Sequence, residues 1–180
     1  DPKRALAWLA DSGGALDGVM AKRRDAPYSP GERAMLKVKQ RRTADCVVAG
    51  FRYDDSGNEV ASLLLGLYGD DGDIDYVGSA AVAASRHAEI AEQVVPLLQD
   101  APERRFSEPN RWGTGDLEEQ AVRPEVVVEV RYDKVQGNRI RHGTKLLRFR
   151  PDKDPRQCTW RELRPPRSPH DPTVESLLGS

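Results

Sequence analysis

A chain of 180 residues can form one ordinary domain, or one small domain and part of another. Hydrophobic residues make up 38% of it and charged residues 32%, which is typical of a globular protein with a modest core and a highly charged surface. The formal net charge of −1 does not by itself indicate DNA binding. The basic residues are nevertheless concentrated in two stretches, 22–42 and 139–153, and such stretches can present a phosphate-binding face.

Several protein classes are excluded at this level. No apolar run approaches the roughly 20 residues that a membrane helix needs, and the chain does not start with the basic and then apolar pattern of a secretory signal. Cys46 and Cys158 lie far apart and neither belongs to a metal-binding pair of cysteines. We therefore expect a protein of a reducing cytoplasm that is not associated with a membrane.

The first part of the chain predicts a helix followed by two strands. The predicted elements are a helix over Pro2–Ala10, a short buried strand over Ala15–Ala21, a charged loop over Lys22–Glu32 and a strand over Ala34–Lys39. Side chains alternate between the two faces of a strand, so Lys37 and Lys39 should point the same way.

From Thr43 onward the pattern is a series of strands interrupted by one helix. The predicted strands are Cys46–Tyr53, Val60–Tyr68, Ile74–Gly78, Val126–Tyr132 and Lys145–Phe149. This order of three strands, a helix and two strands is that of a five-stranded Greek-key barrel of the OB-fold class. The expected fold is thus mainly β with α: a five-stranded OB-fold barrel with one helix, preceded by the two strands of the first part of the chain.

The predicted helix covers Arg86–Gln99, with Ser85 as its N-cap. Pro96 should kink its last turn or end it early, because proline lacks the N–H that the helix needs. The residues expected on the inward face are Ile90, Val94, Val95 and Leu98.

The connections between these elements define three expected regions. Ala101–Gln120 is predicted to be a long polar loop, and Gln136–Arg141 to join the last two strands. From Pro165 the chain is rich in Pro, Ser and Asp, which predicts a flexible tail. The expected regions are a first region over 1–42, an OB-fold domain over 43–164 and the tail over 165–180.

Three short segments carry residues suited to phosphate chemistry: Leu16–Lys22 (LDGVMAK), Met35–Lys39 (MLKVK) and Arg148–Lys153 (RFRPDK). A carboxylate such as Asp17 in an apolar strand is costly unless it is paired or binds a cation, and a divalent metal would suit it. Lys37 and Lys39 repel one another unless an anion, such as a polyphosphate, lies between them. Taken singly, the segments are better explained as a turn, an edge strand and a surface ion pair.

In this order and spacing, the three segments resemble the last three motifs of the covalent nucleotidyltransferases. These enzymes are the ATP-dependent DNA ligases and their RNA-ligase and mRNA-capping relatives, and the similarity is greatest to small bacterial ATP-dependent DNA ligases, including those linked to end joining. It extends from the first helix to about Leu163. Further stretches that carry it are Ala26–Gly31, Arg42–Gly50, Arg123–Glu125, Glu129–Tyr132 and Arg139–His142. The resemblance implies that residues 1–42 are the end of an adenylation domain, which is an α/β nucleotidyltransferase domain. It also implies a bacterial protein associated with the nucleoid.

The resemblance implies roles for residues that bind ATP. Lys37 and Lys39 would contact the α-phosphate of ATP and later the phosphate of AMP, with Arg33 assisting. The residues that would orient the β- and γ-phosphates as pyrophosphate leaves are Arg150, Asp152 and Lys153. These assignments suit a chemistry that depends on positioning and on neutralising charge.

It also implies a metal, a DNA substrate and partners. Asp17 takes the place of an acid, usually Glu in the family, that helps to hold Mg²⁺ or Mn²⁺. The residues expected to contact nicked double-stranded DNA are Arg41, Arg42, Arg139, Arg141 and His142. Repair proteins such as Ku or a repair polymerase are expected as partners.

The nucleophile of the family is a lysine in a Lys-x-Asp-Gly motif, and this sequence contains no such motif: Ala15 stands two places before Asp17. We therefore expect the chain to be a fragment or one piece of a split DNA ligase, and to be inactive in self-adenylation by itself. The parent ligase would seal nicks in DNA repair through lysine–AMP and DNA-adenylate intermediates. The alternatives are a non-catalytic OB-fold module that binds nucleic acid, and part of an RNA ligase or capping enzyme.

Overall fold

The computed structural model of the chain describes residues 3–5, 7, 18–39, 42–99, 119–141 and 144–163. These residues fall into two compact units, one up to Lys39 and one from Arg42 to Leu163. Most of the predicted helix over Pro2–Ala10, most of the predicted loop over Ala101–Gln120 and the whole predicted tail over 165–180 lie outside the described residues. No helix in the described ranges is both long and apolar enough to cross a membrane.

The first unit contains a two-stranded antiparallel ribbon. Residues 3–5 and 7 are helical, and the ribbon consists of β1 (Gly18–Lys22) and β2 (Met35–Lys39), with Gly18 opposite Lys39. The prediction of a buried strand over Ala15–Ala21 is wrong for Met20 and Ala21, which are exposed. They are exposed because, in the part of the chain that the structure describes, β2 is the one strand that pairs with β1.

The second unit is built from eight strands and one α-helix. These elements are β3 (Arg42–Tyr53), β4 (Val60–Tyr68), β5 (Ile74–Ala81), α1 (His87–Val94), β6 (Glu119–Ala121), β7 (Val127–Tyr132), β8 (Lys134–Gln136), β9 (Arg139–Arg141) and β10 (Lys145–Phe149). Five of them close into a barrel in the order β3-β4-β5-β10-β7 and back to β3. All neighbours are antiparallel except β5 and β10. The predicted five-stranded Greek-key OB-fold barrel is thus confirmed.

Strands that the sequence pattern did not predict surround this barrel. β6 pairs with β3 outside the closed circuit, and its first two residues fall at the end of the segment predicted to be a loop. β8 and β9 form a hairpin where a simple connection was predicted, and Gly137 takes a positive φ of 60° at its turn. β3 also begins earlier than predicted, at Arg42, because it pairs with β7 over its whole first half.

The helix is shorter than predicted. Instead of Arg86–Gln99, a 3₁₀ turn over Ala84–Arg86 leads into α1, and a second 3₁₀ turn over Val95–Leu97 follows it. Ser85 is therefore not the N-cap; Arg86 occupies that position without a side-chain cap. The α-helix ends early, at Val94, two residues before Pro96. An early end was one of the two predicted outcomes, and a kinked last turn was the other.

The inward face of the helix is confirmed in part. Ile90 and Val94 are fully buried, and Leu98 packs half-buried against the core. Val95, which was predicted to face inward, is 36% exposed because it belongs to the 3₁₀ turn beyond α1.

The core of the second unit lies inside the barrel and beneath α1. Phe51, Leu63, Leu65 and Val77 are among its fully buried side chains, together with many other aliphatic residues of β3, β4, β5 and β7. Alternation along each strand sends these side chains inward, and burying each stabilises the fold by about 1.5–3 kcal/mol.

The segment after β10 returns to the barrel as two 3₁₀ turns, Pro155–Gln157 and Trp160–Glu162. The backbone N–H of Tyr68 donates to the carbonyl of Cys158 at 2.7 Å, and the indole N–H of Trp160 donates to Asp75 at 2.8 Å. These contacts attach the segment to β4 and β5. They also fix the position of Glu162, the last residue of the second 3₁₀ turn.

Candidate nucleotide-phosphate site

The ribbon presents two lysines on one exposed face. Lys37 and Lys39 are two residues apart on β2, both are exposed, and Gly18 lies opposite Lys39. A Cβ atom at Gly18 would lie 2.3 Å from the carbonyl oxygen of Val38, so only glycine allows β1 to approach β2 this closely. Arg33, in the segment before β2, is also exposed.

The second unit contains a buried carboxylate that is paired with two cations. Within the described ranges, Asp45 on β3 is the single charged residue classed as buried, with 8% exposure. Nη1 of Arg150 donates to both of its carboxylate oxygens, at 3.1 and 2.9 Å, and Nζ of Lys153 donates to Oδ2 at 2.9 Å. A buried charge is costly unless it is paired, and these two cations supply the pairing.

Glu162 completes the cluster from the last 3₁₀ turn. Its Oε1 accepts from Nζ of Lys153 at 2.5 Å, and its Oε2 accepts from the backbone N–H of Asp45 at 3.1 Å. Glu162 therefore bridges the start of the barrel to the cationic segment that follows β10.

The fifth member, Asp152, lies on the outer side of Arg150. Nε and Nη2 of Arg150 donate to the two oxygens of Asp152, at 3.0 and 2.9 Å. We use the name carboxylate–cation cluster for Asp45, Arg150, Asp152, Lys153 and Glu162.

Hydrogen bonding keeps the exposed side of this cluster charged. The hydrogen bond from Arg150 lowers the pKa of Asp152 to about 2, and the same hydrogen bond raises the pKa of Arg150. Burial works to lower the pKa of Lys153, but its hydrogen bonds to Glu162 and Asp45 outweigh burial and the pKa is raised. Arg150, Asp152 and Lys153 are therefore all ionised at neutral pH.

A surface cavity of about 490 Å³ opens beside the cluster. Its polar lining includes Arg150, Asp152 and Lys153, and Phe149 and Pro151 contribute apolar walls. The turn that carries these residues is fixed by the backbone, since the N–H of Arg150 donates to the carbonyl of Val127 at 2.8 Å. Space for an anion thus adjoins cations that are already held in place.

The basic residues predicted to contact DNA lie on two strands. Arg42 begins β3 opposite Tyr132, and Arg139 and Arg141 lie on one face of β9. The guanidinium of Arg139 stacks over Tyr76, 5.3 Å from the ring centroid. Nε of Arg141 is buried and makes no hydrogen bond. Arg41 and His142, which were also predicted to bind DNA, lie outside the described residues.

The predicted metal ligand, Asp17, also lies outside the described residues. Where the structure is described, no group of three His, Cys, Asp or Glu residues could hold a metal ion. Gly18, the residue that follows Asp17 in the sequence, lies opposite Lys39 in the ribbon.

Comparison with known proteins identifies the family. The family model for the C-terminal region of ATP-dependent DNA ligases matches residues 56–153. The chain belongs to this family. DNA ligase C1 of Mycolicibacterium smegmatis is 45% identical over 174 residues, which cover 92% of this chain and 50% of the relative.

A second relative, the multifunctional non-homologous end joining DNA repair protein LigD of Mycobacterium tuberculosis, is 32% identical over 161 residues, covering 86% of this chain and 19% of LigD. The crystal structure of the ligase domain of M. tuberculosis LigD matches with a TM-score of 0.59 and 31% identity, covering 86% of this chain and 51% of that domain. The chain spans about half the length of the DNA ligase C proteins that it matches.

The sequence patterns did not predict two members of the carboxylate–cation cluster, Asp45 and Glu162. Asp45 stands in the apolar run Ala44–Val48, and an acid in such a run needs a cation, so the signal was present. Glu162 gave no comparable signal, because it lies in a polar segment. The structure brings Arg150 and Lys153 together, as their shared motif predicts, and adds both carboxylates.

Proposed function

We propose that this chain forms the C-terminal part of an ATP-dependent DNA ligase that seals nicks in duplex DNA. The observation that carries the proposal is the lysine pair of β2, two like charges on one exposed face beside Gly18, in a chain of the ligase family. Like charges so placed favour an anion between them, and the α-phosphate of ATP is the anion that ligase chemistry supplies.

The proposed reaction has three steps. A lysine amine attacks the α-phosphorus of ATP, and pyrophosphate leaves. The 5′-phosphate of the nicked strand then takes AMP from the lysine, and the 3′-hydroxyl finally displaces AMP as the new phosphodiester bond forms. The nucleophilic lysine comes from a part of the ligase that this sequence does not contain, since the sequence has no Lys-x-Asp-Gly motif.

Within this reaction, the residues of the chain have different tasks. Lys37 and Lys39, assisted by Arg33, neutralise the α-phosphate in the first step and the AMP phosphate in the later steps. Arg150 and Lys153 neutralise the β- and γ-phosphates while pyrophosphate leaves. Positioning and charge neutralisation are the main contributions that a protein makes to such transfers.

DNA, metal and partners complete the proposal. Arg42, Arg139 and Arg141 are proposed to contact DNA phosphates, which would make binding salt-dependent and insensitive to sequence. A divalent metal, Mg²⁺ or Mn²⁺, would neutralise phosphate charge, with Asp17 as its proposed ligand. Because one relative is an end-joining repair protein, we propose repair partners such as Ku or a repair polymerase, acting at the bacterial nucleoid.

The test uses the full-length ligase that contains this chain, with Lys37→Ala and Lys39→Ala variants. Transfer of labelled AMP from ATP to the protein and sealing of nicked DNA are both measured. Each variant should lose about a hundredfold or more in the rate of AMP transfer, because a removed charge no longer stabilises the transition state. The control is Arg123→Ala, which removes an exposed cation that lies outside both basic stretches and pairs with Glu125. Full activity of both lysine variants would contradict the proposal.

A further inference from the structure

The carboxylates of the cluster outnumber its cations. Three carboxylates, Asp45, Asp152 and Glu162, surround Arg150 and Lys153. The guanidinium of Arg150 is already hydrogen-bonded to carboxylates. A triphosphate can therefore hydrogen-bond to Arg150 only if one of these carboxylates moves away, and the structure indicates which one.

The three carboxylates differ in how firmly they are held. The side chains of Asp45 and Glu162 are 11% and 23% exposed, and each makes contacts to more than one partner. The side chain of Asp152 is 63% exposed, and Arg150 is its side-chain partner in the cluster. Asp152 can turn into solvent at small cost, whereas moving Asp45 would leave a charge buried without a partner.

The two ends of the Arg150 guanidinium are correspondingly different. Its Nη1 end is bound by buried Asp45, and its Nε–Nη2 edge is bound by exposed Asp152. That edge presents two parallel N–H groups, which match two oxygens of a phosphate as well as two oxygens of a carboxylate.

We propose that Asp45 and Glu162 are positioning residues for the transfer of AMP from ATP to the ligase. They hold the Nη1 end of Arg150 and the ammonium of Lys153, so that the Nε–Nη2 edge of Arg150 binds phosphate oxygens in place of Asp152. The inference rests on the proposed function. Asp45 and Glu162 do not touch the nucleotide; they act by keeping two long cationic side chains ordered before ATP arrives.

The experiment compares two steps of ligation in the full-length ligase. Asp45→Asn and Glu162→Gln remove charge and keep shape. Each should lower the rate of AMP transfer from ATP about tenfold to a hundredfold, since misplaced groups slow a transfer by such factors. Sealing of a nick that already carries AMP needs no triphosphate, and its rate should stay within about twofold of the unsubstituted ligase, because these residues are assigned to the first step.

The matched control is Glu89→Gln, which removes an exposed carboxylate of α1 that pairs with Arg86. It should leave both rates unchanged. If both cluster variants lose the two steps in parallel, their role is structural and the proposal is overturned. It is also overturned if AMP transfer is as fast as in the unsubstituted ligase, or faster. If Asp45→Asn does not fold, the same two rates measured for Glu162→Gln test the proposal.

Failure of this inference can be told from failure of the proposed function. If the unsubstituted full-length protein takes no label from ATP, or if Lys37→Ala and Lys39→Ala keep full activity, the proposed function is wrong. If the unsubstituted ligase is labelled and depends on both lysines, but Asp45→Asn and Glu162→Gln match it, only the positioning role is wrong.

Discussion

Replacing Lys153 with Met tests how much the carboxylate–cation cluster stabilises the second unit. Lys153→Met keeps much of the length of the side chain and removes its charge. Two hydrogen bonds are lost, to Asp45 at 2.9 Å and to Glu162 at 2.5 Å. A hydrogen bond to a charged group contributes about 1.5–3 kcal/mol, which sets a ceiling of about 6 kcal/mol.

The expected loss lies below that ceiling because neither carboxylate is left without a partner. Asp45 still accepts from Arg150, and Glu162 still accepts from the backbone N–H of Asp45. Two carboxylates would share a region with one cation fewer, and this repulsion adds to the cost. We expect the free energy of unfolding to fall by about 2–4 kcal/mol.

Urea unfolding of the chain, followed by circular dichroism of the barrel strands, measures this loss. The midpoint should fall while the slope of free energy against urea stays constant, since the surface exposed on unfolding is unchanged. The control is Arg123→Met, which removes one member of an exposed ion pair with Glu125, worth about 0–1 kcal/mol. A loss for Lys153→Met no larger than that of the control would refute the reasoning.

Two further predictions concern the barrel. Gly50→Ala should lower the free energy of unfolding by about 1–3 kcal/mol in the same urea experiment, because the new Cβ would lie 2.7 Å from the carbonyl oxygen of Gln120 on β6; unchanged stability would show that β6 moves away freely. Burial raises the pKa of Cys158 from 9.0 to about 12 and also raises that of Cys46. A thiol reagent at pH 8 should therefore label neither cysteine unless the protein is unfolded. The contribution of the two thiols to stability should be constant well below pH 9 and should fall above it, as the unfolded chain ionises its thiols. Rapid labelling of the folded protein would contradict this expectation.

The barrel could be predicted from the sequence because its strands are long apolar runs separated by polar turns. β6 could not be predicted, since its three residues Glu119–Ala121 carry no apolar pattern. They form a strand because they pair with β3 from Gly50 onward. The end of α1 was foreseeable from Pro96, whereas its start was not, because Ser85 has the right side chain for a cap and lies within the 3₁₀ turn instead.

The candidate site shows the same division between local and distant information. Lys37 and Lys39 share a face because side chains alternate along a strand. Their spacing of two residues, which is visible in the sequence, is enough to predict this. The pairing of Asp45 with Arg150 joins residues 105 positions apart, and only the closed barrel brings them together. Local patterns thus predict the cations and mark Asp45 as an acid that needs a cation, but tertiary structure is needed to show which residues pair.

The barrel closes at its one parallel contact, where β10 meets β5 through the single pair Lys145 and Ala81. Every other neighbour around the circuit is joined by a longer antiparallel ladder. Transient separation of strands should therefore begin at this seam, where the fewest backbone hydrogen bonds must break, and amide hydrogens there should exchange with solvent before those of β3 and β4. The contact between β5 and β10 is thus the part of the barrel wall that should open most readily.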